Sequence, residues 1–221
     1  MVPIVMEEIG RIPPDIVDLE SFRRWARSDD FPERGRFSYL AGKLWVDLSM
    51  EQLFTHNKVK TRFAAVLDTL VEDNKLGHYF SDRAFFTNPD ADLSTEPDGV
   101  FVSYDAVRDL RVRSLEGVKG GHVEIVGSPD MTLEVVSSNS VRKDTKELRQ
   151  RYWAAEVTEY WLVDARKEVV HFDILRRGRR GYTAARAQDG WLRSGVFGRS
   201  FRLTRQADPL GHPRYTLEVR E

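Results

Sequence analysis

Apolar residues recur at helical spacing in several stretches of the chain. The longest, residues 51–76, carries one apolar stripe, formed by Phe63, Val66, Leu67, Leu70 and Val71. This spacing predicts an amphipathic helix, and Gly77 is expected to end it. Shorter helices are predicted at residues 18–28, where Asp18 is in position to be the N-cap, and at residues 141–155.

Runs of apolar, β-branched and aromatic residues predict strands between these helices. Residues 36–40 and 43–48 are expected to form a hairpin that turns at Ala41-Gly42, whereas residues 88–97 are rich in turn formers. Further strands are predicted at 79–86, 99–102, 122–126, 131–136 and 160–163, and a second hairpin at 169–175 and 182–186. This order predicts an α/β fold with a mixed central β-sheet flanked by helices, followed by an extra β-rich C-terminal segment.

The chain has 221 residues, of which 41% are hydrophobic, and this length favours one domain. We therefore interpret residues 1–221 as a single domain with a core at about 37–170 and a β-rich extension at 171–221. There is no cysteine, which excludes disulfides, cysteine zinc sites and a thiol nucleophile. No apolar run is long enough for a membrane span, and Glu7 and Glu8 lie where a signal peptide would be basic. We expect a cytoplasmic protein without membrane association.

Charge is distributed unevenly along the chain. The formal net charge is −1, but residues 171–221 contain 11 Arg, no Lys and 5 acids, which makes this part +6 and the remainder −7. The basic part favours a phosphate-bearing partner, although an arginine-rich solvated face is an equal alternative. Four arginines at the predicted tip of the second hairpin are candidates for DNA-backbone contacts or for a solvated loop: Arg176, Arg177, Arg179 and Arg180.

Several common catalytic motifs are absent from the sequence. It contains no P-loop, no G-x-G-x-x-G, no G-x-S-x-G and no H-E-x-x-H, and its five histidines are scattered. Asp90, Asp92 and Ser94 begin like a calcium loop, but Thr95 and Phe101 occupy positions that require Gly and Glu. These observations exclude the corresponding nucleotide, hydrolase and metalloprotease sites.

The informative pair of residues is acidic. Asp98 precedes the predicted strand 99–102, and Glu134 lies within the apolar strand 131–136. A carboxylate in a buried strand has to be protonated, paired or bound to a cation. If the two strands are neighbours, both carboxylates meet at one sheet edge and form a hard-oxygen site for Mg²⁺ or Mn²⁺. The alternative is that Glu134 pairs with an arginine and is only structural.

Lysines begin the helix that follows the Glu134 strand. Lys143 and Lys146 are both candidates to orient a metal-bound water and to offset charge on a phosphoryl group. Both are equally well explained as surface lysines.

Three blocks of the sequence resemble the Uma2 family of bacterial restriction-endonuclease-like proteins. They are Glu96-Pro-Asp98-Gly-Val, Leu133-Glu134-Val-Val-Ser137 and Glu159-Tyr160-Trp161-Leu-Val-Asp164. The resemblance covers roughly residues 37–170. It implies the PD-(D/E)XK nuclease fold, a dimer, and magnesium-dependent hydrolysis of DNA phosphodiester bonds.

The resemblance also implies roles for individual residues. Asp98 and Glu134 match the two metal-binding acids, and the carbonyl of Val135 matches a further ligand. His56 falls where many members carry a histidine near the site, although a satisfied helix histidine is the more common explanation.

The sequence departs from the family pattern at two positions. Many relatives have a lysine four residues after the position of Asp144, where this chain has Leu148; Lys143 is the preferred substitute because it is closest to the strand end. Glu156 replaces a glycine in the turn before the last core strand, and a positive φ there would cost about 1 kcal/mol or more.

The leading hypothesis is thus a homodimeric, Mg²⁺- or Mn²⁺-dependent endonuclease acting on DNA. Leu148 favours a rival, a catalytically impaired nuclease-fold module that binds DNA or a protein. A magnesium phosphoesterase with a small substrate is the third hypothesis.

Overall fold

The computed structural model describes residues 12–117 and 120–221. The N-terminal segment 1–11, whose acidic residues argued against a signal peptide, lies outside the described residues. Four α-helices are present in the described part: α1 Leu19–Ala26, α2 Lys58–Asp73, α3 Tyr104–Arg108 and α4 Arg149–Ala154. Two π-helical segments, Leu53–Asn57 and Lys143–Leu148, lead directly into α2 and α4. Among the described residues, no helix is both long and apolar enough to cross a membrane.

The strands form three sheets and are numbered here in chain order. They are β1 Arg36–Leu40, β2 Lys43–Asp47, β3 Gly77–Ser81, β4 Phe85–Asn88, β5 Leu93–Thr95, β6 Gly99–Ser103, β7 Val112–Glu116, β8 His122–Gly127, β9 Met131–Val135, β10 Glu159–Asp164, β11 His171–Gly178, β12 Gly181–Ala184, β13 Leu192–Arg193, β14 Ser200–Ala207 and β15 Pro213–Arg220. The first sheet has the order β2-β1-β5-β4-β8-β7 and the second the order β12-β11-β10-β9-β6-β3. The third sheet, β13-β14-β15, is antiparallel.

The expected single central sheet is thus two mixed sheets, each with one parallel strand pair. The cause lies in the stretch predicted as one strand at 79–86. Asp82 and Arg83 have φ values of 44° and 58°, which no continuous strand can accommodate. The chain therefore leaves the second sheet after β3 and enters the first sheet with β4. β5 lies in the stretch interpreted as turns only, and α3 and β7 were not predicted.

Both predicted hairpins are present. Leu40 pairs with Lys43, and Ala41 and Gly42 have φ values of 51° and 75°, as a two-residue turn between twisted strands requires. In the second hairpin, Gly178 pairs with Gly181, so β11 extends through Arg176 and Arg177 and only Arg179 and Arg180 form the tip. β11 and β12 join the second sheet, whereas β13–β15 form a sheet of their own.

The second sheet separates two hydrophobic cores. Alternate residues of β9 and β10 point to opposite faces, so Trp161 packs with α2 and the third sheet, and Tyr160 packs with α4 and the first sheet. A third, smaller cluster holds α1, whose predicted N-cap Asp18 forms a capping box with Ser21. The second sheet is consequently buried on both sides.

Three helices end in the same hydrogen-bond pattern without glycine. After α2, α3 and α4, the residue beyond the C-cap has a positive φ of 52°, 58° and 61°; these residues are Lys75, Leu110 and Glu156. Each is part of a Schellman motif with its two characteristic backbone bonds. The helix-ending residue of α2 is therefore Lys75, and Gly77 belongs to β3, where an added Cβ would lie 2.1 Å from the carbonyl oxygen of Val102.

Candidate functional site

Glu134 lies in β9 of the second sheet, and Asp98 directly precedes its neighbour β6. β6 and β9 are antiparallel, with Gly99 opposite Leu133, so the register continued by one residue places Asp98 opposite Glu134. Both residues are buried, with exposures of 3% and 2%. The strand arrangement on which the sequence-based site depended is therefore present.

Cationic groups surround Asp98. At Oδ1 of Asp98, Nη1 of Arg36 donates a hydrogen bond at 2.8 Å and Nζ of Lys60 lies 3.8 Å away. At Oδ2, the Val135 N–H donates a hydrogen bond at 2.8 Å and Nε2 of His56 lies 3.5 Å away. Burial by itself would raise the pKa of Asp98, but the charges of Arg36, His56 and Lys60 outweigh it and lower that pKa. Asp98 is therefore an ionised carboxylate.

Glu134 has the opposite electrostatic environment. Its Oε1 accepts a hydrogen bond from the Tyr152 hydroxyl at 2.5 Å. Burial raises the pKa of Glu134 well above its ordinary value; Lys143 opposes this shift, while Asp144 and Asp98 add to it. A positive charge placed beside Glu134 would favour its ionised form.

The π-helical segment after β9 brings two further charged groups to the site. The Lys143 ammonium lies 3.4 Å from Oδ1 of Asp144, and its pKa is raised because Glu134 and Asp144 overcome the effect of burial. The Ser140 hydroxyl donates to Oδ2 of Asp144, whereas Oδ1 has no hydrogen-bond partner within the described part of the chain. Burial raises the pKa of Asp144. Lys146 is exposed and does not line the site.

A second π-helical segment positions His56. The side chain of Gln52 caps its first turn by accepting from two backbone N–H groups, and Glu51 accepts from Nδ1 of His56 at 2.7 Å. Glu51 also lies 2.5 Å from the Lys60 ammonium. Although burial acts in the other direction, these hydrogen bonds lower the pKa of Glu51 to about 2. Both ring nitrogens of His56 thus face carboxylates, Glu51 on one side and Asp98 on the other.

These groups form one ion-pair cluster at the wall of a cavity of about 630 Å³. The cluster contains five carboxylates and three permanent cations: Glu51, Asp82, Asp98, Glu134 and Asp144 against Arg36, Lys60 and Lys143. Counted without His56 and with every carboxylate ionised, its charge is −2, which equals the charge that one divalent cation would neutralise. Protonation of Glu134 and Asp144 is the other way to remove it.

The donor set is compatible with a hard divalent cation. A carboxylate offers about four lone-pair positions, and direct hydrogen bonds from Arg36 and Val135 use only two of those on Asp98. Glu134 and the unbonded Oδ1 of Asp144 supply further oxygen atoms at the same cavity. No group of three or more His, Asp or Glu side chains is already arranged for a metal among residues 12–117 and 120–221. A bound cation would therefore require a small rearrangement of side chains.

Leu148 lies away from these groups. Its side chain is fully buried and packs in the second core with Tyr152 and Tyr160. The position at which many relatives carry lysine is thus part of the hydrophobic core in this chain, and Lys143 is the lysine whose charge acts on Glu134.

The arginines of the second hairpin are far from the cavity. Asp173 of β11 is level with Glu134 across the sheet, and Gly178 is five residues further along, at about 3.3 Å per residue. Arg176 donates to the carbonyl oxygen of Arg193, and Arg177 contacts Trp153 and Glu156. Arg179 and Arg180 are exposed at the tip. The structure does not bring any of the four to the acidic pair.

Sequence reasoning missed Arg36, Lys60 and Asp144 as site residues. A signal existed for two of them. Lys60 precedes Phe63 and Leu67 by three and seven residues, which places it on the buried stripe of α2, and Asp144 shares a face with Leu148 at i+4. A charged residue on an apolar stripe needs a buried partner. Arg36 has no such local signal, because its partner Asp98 is 62 residues away.

Comparison with known proteins identifies relatives of this fold. The model of the family Uma2, described as "Putative restriction endonuclease", matches residues 19–206. No curated protein matches the sequence. Among solved structures, one described as "a putative nuclease belonging to DUF820 from Anabaena variabilis ATCC 29413" superposes with a TM-score of 0.61 at 18% identity, over 82% of this chain and 91% of that one. At this identity the likeness establishes a shared fold.

Proposed function

The chain belongs to the Uma2 family, and on that premise we propose that it is an endonuclease with a restriction-endonuclease-like core that hydrolyses DNA phosphodiester bonds with Mg²⁺ or Mn²⁺. The observation that carries this proposal is that Asp98 lies opposite Glu134 at one cavity, which Lys143 also lines, in a cluster whose carboxylates outnumber its lysine and arginine cations by two.

The residues have distinct roles in this proposal. Asp98, Glu134 and the Val135 carbonyl would hold the cation, which when bound polarises a phosphate and acidifies a water molecule. Lys143 would donate a hydrogen bond to the attacking water or to a non-bridging phosphate oxygen, where negative charge develops. Arg36 and His56 hold Asp98 in place, and His56 is itself held by Glu51.

Two further parts of the proposal concern the state of the protein. We propose a homodimer, as the family resemblance implies. We propose action in the cytoplasm, because a chain without cysteine suits a reducing compartment.

One observation favours a second function, a nuclease-fold module that binds DNA or a protein without cleaving. Leu148 is fully buried in the core, so this chain lacks the lysine that many relatives carry at that position. If Lys143 does not replace it, the water lacks its orienting group and only binding remains.

The decisive experiment is a calorimetric titration of Mn²⁺ into the native protein and into Asp98→Asn and Glu134→Gln, whose side chains keep nearly the same shape. Asp173→Asn is the matched control, because Asp173 is an exposed carboxylate level with Glu134 on the same sheet. Circular dichroism verifies the fold of each variant. We expect Mn²⁺ binding in the native protein and in the control, and at least tenfold weaker binding in both site variants.

A nicking assay on supercoiled DNA then separates the two functions. Mn²⁺ binding together with nicking that Lys143→Met abolishes supports the nuclease. Mn²⁺ binding and DNA binding without nicking supports the binding module. No Mn²⁺ binding in the native protein contradicts the proposed nuclease.

A further inference from the structure

The outward face of the third sheet is built from arginines. Directly paired residues of antiparallel strands point to the same side, so the pairs Arg193–Ser200, Ser200–Arg220, Arg202–Glu218 and Gln206–Arg214 define one face. The opposite face carries Phe201, Tyr215 and Leu217, which belong to the core between this sheet and α2. The polar face, called here the arginine face, consists of Arg193, Arg202, Arg214 and Arg220 with Trp191 beside them.

Two of these arginines are held in place by an aromatic ring. The guanidinium carbons of Arg202 and Arg220 lie 4.6 and 4.2 Å from the ring centroid of Trp191. Arg202 is also paired with Glu218 at 2.7 Å. Stacking on an aromatic ring fixes the guanidinium plane and leaves its edge N–H donors available. Arg220 is thus pre-organised for an acceptor, whereas Arg202 already donates two hydrogen bonds to Glu218.

The charge of the arginine face is largely unneutralised. Four arginines are opposed by Glu218 alone, which gives a net +3. Arg193, Arg214 and Arg220 are exposed, and none has a carboxylate within 4.0 Å in the described ranges. A face that carries only arginine suits phosphate, because the planar guanidinium donates two parallel hydrogen bonds to it.

The end of the third sheet that carries Arg214 contacts the π-helical segment that positions His56. His212, in the turn between β14 and β15, stacks on Phe54 with the ring centroids 4.3 Å apart. Phe54 belongs to the π-helical segment that carries His56. From the Gln206–Arg214 pair at this end, Arg202 lies four residues along β14, or about 14 Å at 3.4 Å per residue. The arginines therefore extend along the strands away from the turn that contacts this segment.

We propose that the arginine face binds the phosphate backbone of the DNA whose phosphodiester bond lies in the candidate active site. This inference takes its ligand from the proposed function. Arg214 would contact a phosphate close to the cavity, and Arg202, Arg220 and Arg193 would contact phosphates further along. The contact is independent of base sequence.

The test measures DNA binding with cleavage switched off. Fluorescence anisotropy of a labelled DNA duplex, in EDTA and over a series of salt concentrations, compares the native protein with the triple variant Arg193→Gln/Arg214→Gln/Arg220→Gln. The control triple variant, Arg24→Gln/Arg108→Gln/Arg113→Gln, removes the same charge from exposed arginines outside the third sheet. Circular dichroism and Mn²⁺ titration accompany each variant.

We expect the arginine-face variant to bind DNA at least tenfold more weakly than the native protein. The slope of the logarithm of the DNA association constant against the logarithm of the salt concentration should become shallower by up to about 2.7, or about 0.9 for each lost phosphate contact. The control should keep the native slope, and Mn²⁺ binding should be unchanged in both variants. Equal slopes for the two triple variants would overturn the assignment, and so would displacement of the DNA by polyglutamate as readily as by unlabelled DNA. Failure of the proposed nuclease gives a different result, namely loss of Mn²⁺ binding or nicking with DNA binding intact.

Discussion

Glycine at position 156 should make the protein more stable than alanine does. Glu156 has a φ of 61° at the end of α4, where its N–H donates to the Trp153 carbonyl and the Val157 N–H donates to the Tyr152 carbonyl. This Schellman motif requires the left-handed conformation. The sequence alone marked this position because glutamate stands there in place of glycine, and the positive φ confirms the reason for that expectation.

The magnitude follows from three contributions. The left-handed conformation costs a non-glycine residue about 1–2 kcal/mol. The greater freedom of unfolded glycine offsets about 0.4–1 kcal/mol of that gain. The Glu156 carboxylate also pairs with Arg177 at 3.1 Å, but its side chain is 67% exposed, and such surface pairs contribute about 0–1 kcal/mol. Glu156→Ala removes the ion pair and keeps the backbone strain, so it is the proper reference for glycine.

We expect Glu156→Gly to unfold with a free energy about 0.5–1 kcal/mol higher than Glu156→Ala, equivalent to a midpoint about 1–4 °C higher in thermal unfolding. Urea unfolding followed by tryptophan fluorescence measures the difference, provided that the two variants have equal m-values. The same comparison at Lys75, which has a φ of 52° in the Schellman motif of α2, tests the reasoning where no ion pair contributes among the described residues.

Equal unfolding free energies for the Gly and Ala variants at both positions would refute this reasoning. They would show that the left-handed conformation is not strained in these turns. A gain at Lys75 but none at Glu156 would instead show that the Arg177 pair contributes more than a surface ion pair does.

Three further predictions concern the site and its surroundings. Leu148→Ala should lower the free energy of unfolding by about 2.7–5 kcal/mol, because it leaves a cavity in the second core. Urea unfolding measures this change, and a loss below about 1 kcal/mol would contradict the prediction. Lys143→Met should abolish nicking of supercoiled DNA, whereas Lys146→Met should leave it unchanged, because only Lys143 lines the cavity; equal effects would contradict the placement. Glu51→Gln should reduce the loss of stability on acidification. A carboxylate whose folded pKa is lowered stabilises the fold above its unfolded pKa, near 4.5, and this contribution is lost as the pH falls towards about 2. Urea midpoints across that interval measure the effect, and a parallel loss of stability in the native protein and the variant would contradict it.

Local patterns predicted most of the helices and strands of this protein. The stripe of α2, the N-cap of α1 and the Ala41-Gly42 hairpin each depend on residues close together in sequence. The three-residue strand β5 was missed because it is too short to show alternation, and the turn formers around it dominate the pattern.

The division into two sheets could not be predicted, because it depends on two residues in the left-handed conformation. Nothing in the local pattern distinguishes Asp82 and Arg83 from polar residues within a strand. Their conformation is accompanied by long-range bonds: Asp82 accepts from Arg36 and Lys60, and Arg83 donates to the Glu33 carbonyl. Contacts of this kind are visible only once the chain has folded.

The acidic pair was accessible from sequence because a carboxylate in an apolar strand is costly. The surrounding cations were less accessible, because a long side chain reaches partners that its position does not reveal. Lys143 illustrates this point: the helical angle of 100° per residue separated it from Leu148, yet in the π-helical segment its ammonium lies 3.4 Å from Asp144 and its charge acts on Glu134.

The break between β3 and β4 has a consequence for how the ion-pair cluster can be lost. Arg36 belongs to the first sheet, Asp98 and Glu134 to the second, and Asp82 lies in the link between them. The cluster thus depends on the alignment of the two sheets, and so does the second core, which contains residues of both. The first core lies on the other face of the second sheet, between that sheet, α2 and the third sheet. A substitution that shifts the first sheet slightly would disturb the cluster and the second core and leave the first core intact. The cluster can therefore be lost through a change in alignment alone, with every one of its residues still in place and the first core still packed.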